Sequence, residues 1–256
     1  MTCSRLRLDG KTLDGIFDLH PTSWDGLFGA VGKRGRNQPI IGQPGEFRVP
    51  KLAESRSGSL VLLIRPQNEF GQVVTSRCQH LEANQDVLLG LIGSEELQTL
   101  EWDMCDGTSR FLDVDFTAAA PIRHRPSGAR EISLTFAAPY PGWQNPTPTV
   151  VSVATGPATN VNPGGTAPVD NPVLTFTAAA TLTNTLTGEA VTVDPAGGGD
   201  VTVNCWTGAV TQAGVSARNR VTAMSHARIL HLEPAVNNPL TATGAAVGVS
   251  YRSTWW

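Results

Sequence analysis

The residues of this chain whose types could do chemistry are five histidines, a run of closely spaced aspartates, four cysteines, a few tryptophans and one short basic segment. His226 and His231 are five apart, which sets them on opposite faces of a strand and well apart around a helix, so they do not share a metal. His124 stands between Arg123 and Arg125, and His20 and His80 have no cysteine or histidine at ligand spacing. All five read as surface or packing residues. Asp113 and Asp115, with Asp103 and Asp106 nearby, could supply paired carboxylates for glycoside hydrolysis or for calcium. Their Asp-x-Asp spacing instead places both on the wet face of an amphipathic strand. Cys3, Cys78, Cys105 and Cys205 form no CxxC pair and read as reduced thiols. No GxSxG, HExxH, phosphate-binding loop or dinucleotide fingerprint occurs. The expectation is no catalytic residue, no metal and no cofactor.

Candidate binding residues are few. Trp206, beside the Thr207-Gly208 turn, is the one aromatic placed to stack on a sugar ring; the alternative is that it covers the edge of a core. Lys33-Arg34-Gly35-Arg36-Asn37 puts three cations on a glycine-flanked loop, where contact with an acidic partner or a neighbouring subunit competes with plain solvation. The chain ends on Trp255-Trp256, and two large aromatics there argue for a terminus docked on a core or a partner. Tyr140 and Trp143 read as packing between domains. A net charge of −3 with 16% charged residues encodes no pull toward nucleic acid or membrane. No apolar run approaches the ~20 residues that span a bilayer. The opening MTCSRLRLDG carries charges where a signal peptide needs an apolar run, so synthesis in a reducing cytoplasm is expected.

The elements that must position these residues are strands. Twenty-six glycines and 18 prolines at 40% apolar content favour many short strands and turns over long helices. Residues 139–149, PYPGWQNPTPT, cannot form a helix or a central strand, because proline lacks the amide donor and fixes φ. They read as a stiff joint, 141–149, between domains 1–140 and 150–256. In the first domain residues 6–8 form a strand entering an Asp9-Gly10 turn, and 58–65 (GSLVLLIR) a buried strand. Asn84 is the expected cap of a helix whose apolar face is Val87, Leu88, Leu91 and Ile92. Leu100, Trp102 and Met104 alternate on one arm of a hairpin, and Leu112, Val114 and Phe116 on the other. A two-residue turn would put these sets on opposite faces, so a three-residue loop with left-handed Gly107 is expected. Residues 130–138 add a last strand. The domain is an antiparallel β-sandwich or split barrel with one packed helix. In the second domain strands are expected at 172–177, 180–185, 190–194, 201–206, 209–212, 228–232 and 247–256. Their roughly ten-residue spacing signals a sandwich.

These segments resemble a known family. RGRNQPIIGQPGEFRVPKLAESRSGSLVLLIR (34–65) resembles the N-terminal domain of the distal tail proteins of long-tailed phages. The second half resembles that family's galectin-like β-sandwich: a proline-led strand (171–176), an Asn-x-x-Thr-Gly-Glu turn at Asn184–Glu189, Gly199-Asp200-Val201, a Leu-x-Pro-x-x-Asn loop at 232–237, and an aromatic close at 250–256. The family's loop usually has glycine where Ala235 stands, so a left-handed turn is expected to be less comfortable there. The resemblance implies a non-enzymatic virion protein of the tail tip, a homohexameric ring through which DNA passes. The partners it implies are the tail tube, the tape measure and the tail hub proteins, without sequence-specific nucleic-acid binding or membrane insertion. Lys33, Arg34, Arg36, Asn37, Trp255 and Trp256 are then candidate contacts with subunits or partners. Trp206 is the candidate contact of the alternative reading, a tail component that binds host glycan.

Overall fold

Short alternating segments broken by glycine turns give strands, and the chain is mainly β with a single α-helix among its described residues. The computed structural model describes residues 5–12, 17–19, 25–28, 31–34, 38–39, 46–47, 52–66, 77–125, 128–226 and 228–256. Two compact units result, Met1–Trp143 with Trp256, and Gln144–Trp255.

The main elements of the first unit are β1 (Arg5–Leu8), β2 (Lys11–Thr12), β3 (Phe17–Leu19), β4 (Arg56–Ile64), α1 (Arg77–Ile92), β5 (Gln98–Asp103), β6 (Ser109–Ala119) and β7 (Arg130–Ala138). They form an antiparallel sheet in the order β2-β1-β5-β6-β7-β4-β3. Asp9 and Gly10, both at positive φ, make the tight turn from β1 to β2. The β5–β6 hairpin has the expected odd loop. Leu100 faces Leu112, the Met104 amide donates to the Thr108 carbonyl at 2.8 Å, and Gly107 has φ +82°. Leu100, Leu112 and Val114 are thereby buried together with Leu60, Leu62, Ile64, Leu134 and Phe136.

The helix differs from expectation. It begins at Arg77, so Asn84 lies in its middle, and its buried positions are Leu81, Asn84 and Leu88 while Val87 is exposed. Asn84 is held there because its Nδ2 donates to the Arg65 carbonyl at 2.7 Å, beyond the end of β4. A tertiary partner thus explains a residue that local sequence offers as a cap. Buried Arg56 donates to the carbonyls of Leu27 (2.8 Å), Gly26 (3.2 Å) and Pro141 (2.8 Å), tying residues 25–28 and the end of the unit to β4. Burial lowers its pKa. The crossing is tight: a Cβ on Gly26 would overlap the Ser57 carbonyl, and one on Gly58 the Asp25 carbonyl. Trp143, assigned to interdomain packing by sequence, has its ring partners in its own unit. It stacks on Phe28 at 5.8 Å, meets Trp102 at 5.8 Å, and donates from Nε1 to the Leu27 carbonyl at 3.0 Å.

The main strands of the second unit are β8 (Thr149–Val153), β9 (Thr159–Val161), β10 (Val173–Phe176), β11 (Ala180–Asn184), β12 (Glu189–Val193), β13 (Val201–Asn204), β14 (Val210–Gln212), β15 (Val215–Ser216), β16 (Val221–Met224), β17 (Asn238–Thr243) and β18 (Val247–Tyr251). One antiparallel sheet runs β8-β18-β10-β13-β14-β15 and the other β9-β17-β11-β12-β16. Leu174, Phe176, Val201, Val203, Val247 and Val249 of the first share a core with Leu182, Val191, Val193, Leu240 and Ala242 of the second, which makes a β-sandwich. Residues 228–232, expected as a strand, are not one; Leu232 makes an isolated bridge to Val169. The strand pattern instead belongs to β17, which proline-containing Asn238-Pro239-Leu240 disguises and which pairs with both β9 and β11.

Candidate functional site

The turn from β11 to β12 is set by its own side chains. The Leu186 amide donates to Asn184 Oδ1 at 3.1 Å, the Gly188 amide to the Asn184 carbonyl at 2.8 Å, and Gly188 takes φ +76°. The turn delivers Glu189 as the first residue of β12. Facing it is the loop 231–237, fastened by Asn238, which is fully buried. Asn238 Nδ2 donates to the carbonyls of Val161 (3.2 Å), Glu233 (3.0 Å) and Val236 (3.1 Å), while its Oδ1 accepts from the Glu233 amide at 2.9 Å. Asn184 Nδ2 in turn donates to the His231 carbonyl at 2.9 Å. Ala235 adopts φ +56°, so the loop takes a left-handed turn on a residue other than glycine.

These two loops bring His231, Glu189 and Glu233 together. His231 Nδ1 lies 2.8 Å from both Glu189 carboxylate oxygens, its Nε2 lies 3.0 Å from Glu233 Oε1, and its amide donates to Glu189 Oε2 at 2.7 Å. Burial pulls the His231 pKa down, but the hydrogen bonds to Glu189 and Glu233 outweigh it and hold it above the ordinary histidine value. For Glu189, burial acts upward and the His231 hydrogen bond and charge act downward, with a lowered pKa as the result. Both directions describe one ion pair. Next to it Arg228 lies 3.4 Å from Asp170, whose pKa is raised by burial. An open depression of about 600 Å³ lies over His231, lined also by Leu186, Thr187, Glu233, Pro234 and Val236. His231 is thus neither a surface residue nor simple packing. No spacing signal reveals it, because Glu189 is 42 residues away in sequence.

Trp206 is 42% exposed, on a turn in which Asn204 Oδ1 accepts the amides of Trp206 and Thr207 at 3.0 Å. Lys33 and Arg34 form a two-residue strand paired with Ala53 and Leu52; Arg36 and Asn37 lie outside the described residues. Trp255 and Trp256 are half-buried, and the segment before them is anchored, since the buried Thr254 gives its carbonyl to the amides of Thr166 and Ala167. Asp113 accepts from the Thr99 hydroxyl at 3.0 Å, and Asp115 is exposed. Cys205 is a buried thiol whose pKa is pushed up to about 12 by burial, which makes it inert. Cys78 and Cys105 are exposed, and Cys3 lies outside the described residues.

No protein-family model and no curated protein matches the chain. Solved structures match along nearly its whole length. The SPP1 Dit (gp 19.1) protein, described as a paradigm of the hub adsorption apparatus in phages infecting Gram-positive bacteria, aligns at TM-score 0.64. Identity is 16%, over 97% of this chain and 98% of that one. The fold is that of the SPP1 Dit protein. Chains of the phage P2 baseplate in its activated conformation, with Ca and with Sr, align over 96% of this chain and 97% of theirs at TM-score 0.47, with 10% and 11% identity. In this fold two of the segments that carry the sequence resemblance in the second half, the Asn184–Glu189 turn and the 232–237 loop, meet around His231. Asn184 and Glu189 of the first contact His231, which stands just before the second and reaches its Glu233.

Proposed function

We propose that this chain is a structural protein of the phage tail tip, a distal tail protein without enzymatic activity. The observation that carries this reading is the likeness to the SPP1 Dit protein across both units and nearly the full length of both chains. In this reading residues 1–140 form the ring, and 150–256 are a galectin-like domain that projects outward on the joint 141–149. Six subunits close by rotation of a heterologous contact. The ring joins the tail tube to the tail-tip proteins, touches the tape measure and hub proteins, and lets DNA pass through its channel. It is assembled in the host cytoplasm. Lys33, Arg34, Arg36 and Asn37 serve contacts between subunits, and Trp255 and Trp256 contacts with partners. Mass photometry of the purified protein is expected to give a hexamer, or a monomer that becomes one when tail partners are added. A monomer that never enters tails overturns the proposal.

The exposure of Trp206 favours a second reading, in which the sandwich binds host glycan through that ring. A glycan array followed by calorimetry decides it. Saturable sugar binding that disappears in Trp206→Ala supports this reading, and the absence of binding removes it.

A further inference from the structure

The depression over His231 is where exposed apolar surface and uncompensated negative charge coincide. Glu189 and Glu233 both reach the one His231 ring, so two carboxylates share at most one positive charge there, while Arg228 is opposed by Asp170. The excess of negative charge falls at the mouth. Asp170 faces Arg228, and Glu189 is shut beneath the His231 ring with 6% of its side chain exposed, whereas the Glu233 side chain is 43% exposed. Around it stand Leu186 and Val236, large apolar side chains that are 50% and 46% exposed, and Pro234.

An aliphatic stem ending in a cation matches this arrangement. Its methylenes cover Leu186, Pro234 and Val236, and its charge meets the Glu233 carboxylate in a charge-assisted hydrogen bond. An anionic guest is repelled by Glu233, and an apolar one leaves that carboxylate desolvated. We propose that the depression is a socket for a lysine or arginine side chain presented by a neighbouring protein of the tail tip. That the neighbour is a tail protein rests on the function proposed above; the socket's preference for a cation does not.

The test is methyl NMR of the full-length protein titrated with N-acetyl-arginine methylamide and N-acetyl-lysine methylamide, with the norleucine and glutamate analogues as controls. The methyl signals of Leu186 and Val236 are expected to shift with the cationic probes. The norleucine analogue and Glu233→Gln are each expected to weaken binding about tenfold or more, and added salt to weaken it progressively. Because Glu233 is half-exposed, the variant's spectrum away from the depression should be unchanged, which verifies its fold. Leu186→Ala, which keeps the charge and removes an apolar wall, is expected to bind the cations less tightly as well. Absence of shifts, equal shifts with norleucine, or binding unchanged in Glu233→Gln overturns the proposal. Hexamer formation is measured separately, so a failed titration with an intact ring removes the socket and leaves the tail-tip reading standing.

Discussion

At the scale of single residues, the loop 231–237 and its histidine carry the sharpest predictions. Ala235 sits at φ +56°, a region that costs an L-residue roughly 1–2 kcal/mol. Ala235→Gly is therefore expected to raise the stability of the second unit by about 1 kcal/mol, because relieved strain exceeds the entropy that glycine adds to the unfolded chain. Denaturant unfolding measures this, and a destabilised variant would contradict it. His231 gives a pH dependence of definite sign. A histidine whose pKa is raised by folding contributes stability fully below its unfolded value, near pH 6.5, and loses it as pH climbs through the folded value. Glu189, lowered by folding, contributes above its unfolded value of about 4.3 and loses that stability as pH falls through the folded one. The thermal midpoint of the second unit is thus expected to fall as pH rises above about 6.5, with the fall much reduced in His231→Gln. The groups facing His231 throughout are Glu189, Glu233, Arg228 and Asp170. The pairing of His231 is not legible in the sequence. A histidine with no ligand-spaced neighbour is indistinguishable from a surface histidine until the fold brings Glu189 to it.

At the scale of elements, the β5–β6 hairpin and the helix illustrate opposite cases. The hairpin is decided locally: face alternation and a glycine at the left-handed position together admit one register, with Leu100 opposite Leu112. The helix is not, because Asn84 is a good cap in isolation and a buried partner of Arg65 in the fold. The crossing of residues 25–28 over β4 is a second tertiary constraint. Gly58 reads as the first residue of a buried strand, yet its missing side chain is what lets the Asp25 carbonyl approach and accept the Ser59 amide at 3.1 Å. Gly58→Ala is expected to destabilise the first unit by about 3 kcal/mol or more, since backbone on both sides must move. Chemical denaturation followed by Trp fluorescence checks it; a cost below about 1 kcal/mol would show that the crossing yields easily.

At the scale of the whole molecule, the tail-tip reading makes charge on the basic segment matter for assembly. If Lys33 and Arg34 meet a neighbouring subunit, Lys33→Glu with Arg34→Glu is expected to shift the hexamer to monomer in mass photometry while far-UV circular dichroism stays unchanged. A hexamer that survives both substitutions places the ring contacts elsewhere. The pair lies on a two-residue strand beside Leu52–Ala53, so its backbone remains held when the charges are reversed.

The sequence by itself determined what short-range rules control: a mainly β chain, the Asp9-Gly10 turn, the hairpin register and the strands around residues 172–212. Period-two alternation and glycine or proline punctuation act over a few residues, so they can be read without knowing what the chain packs against. Tertiary structure alone decided that residues 228–232 are no strand, that Pro239 lies in a paired strand, that Asn84 and Arg56 are buried anchors, and that His231 stands between two glutamates. Apart from the first, each of these depends on a partner at least 19 residues away. Hydrogen bonding and desolvation at such distances are properties of the folded arrangement, and no local pattern encodes them.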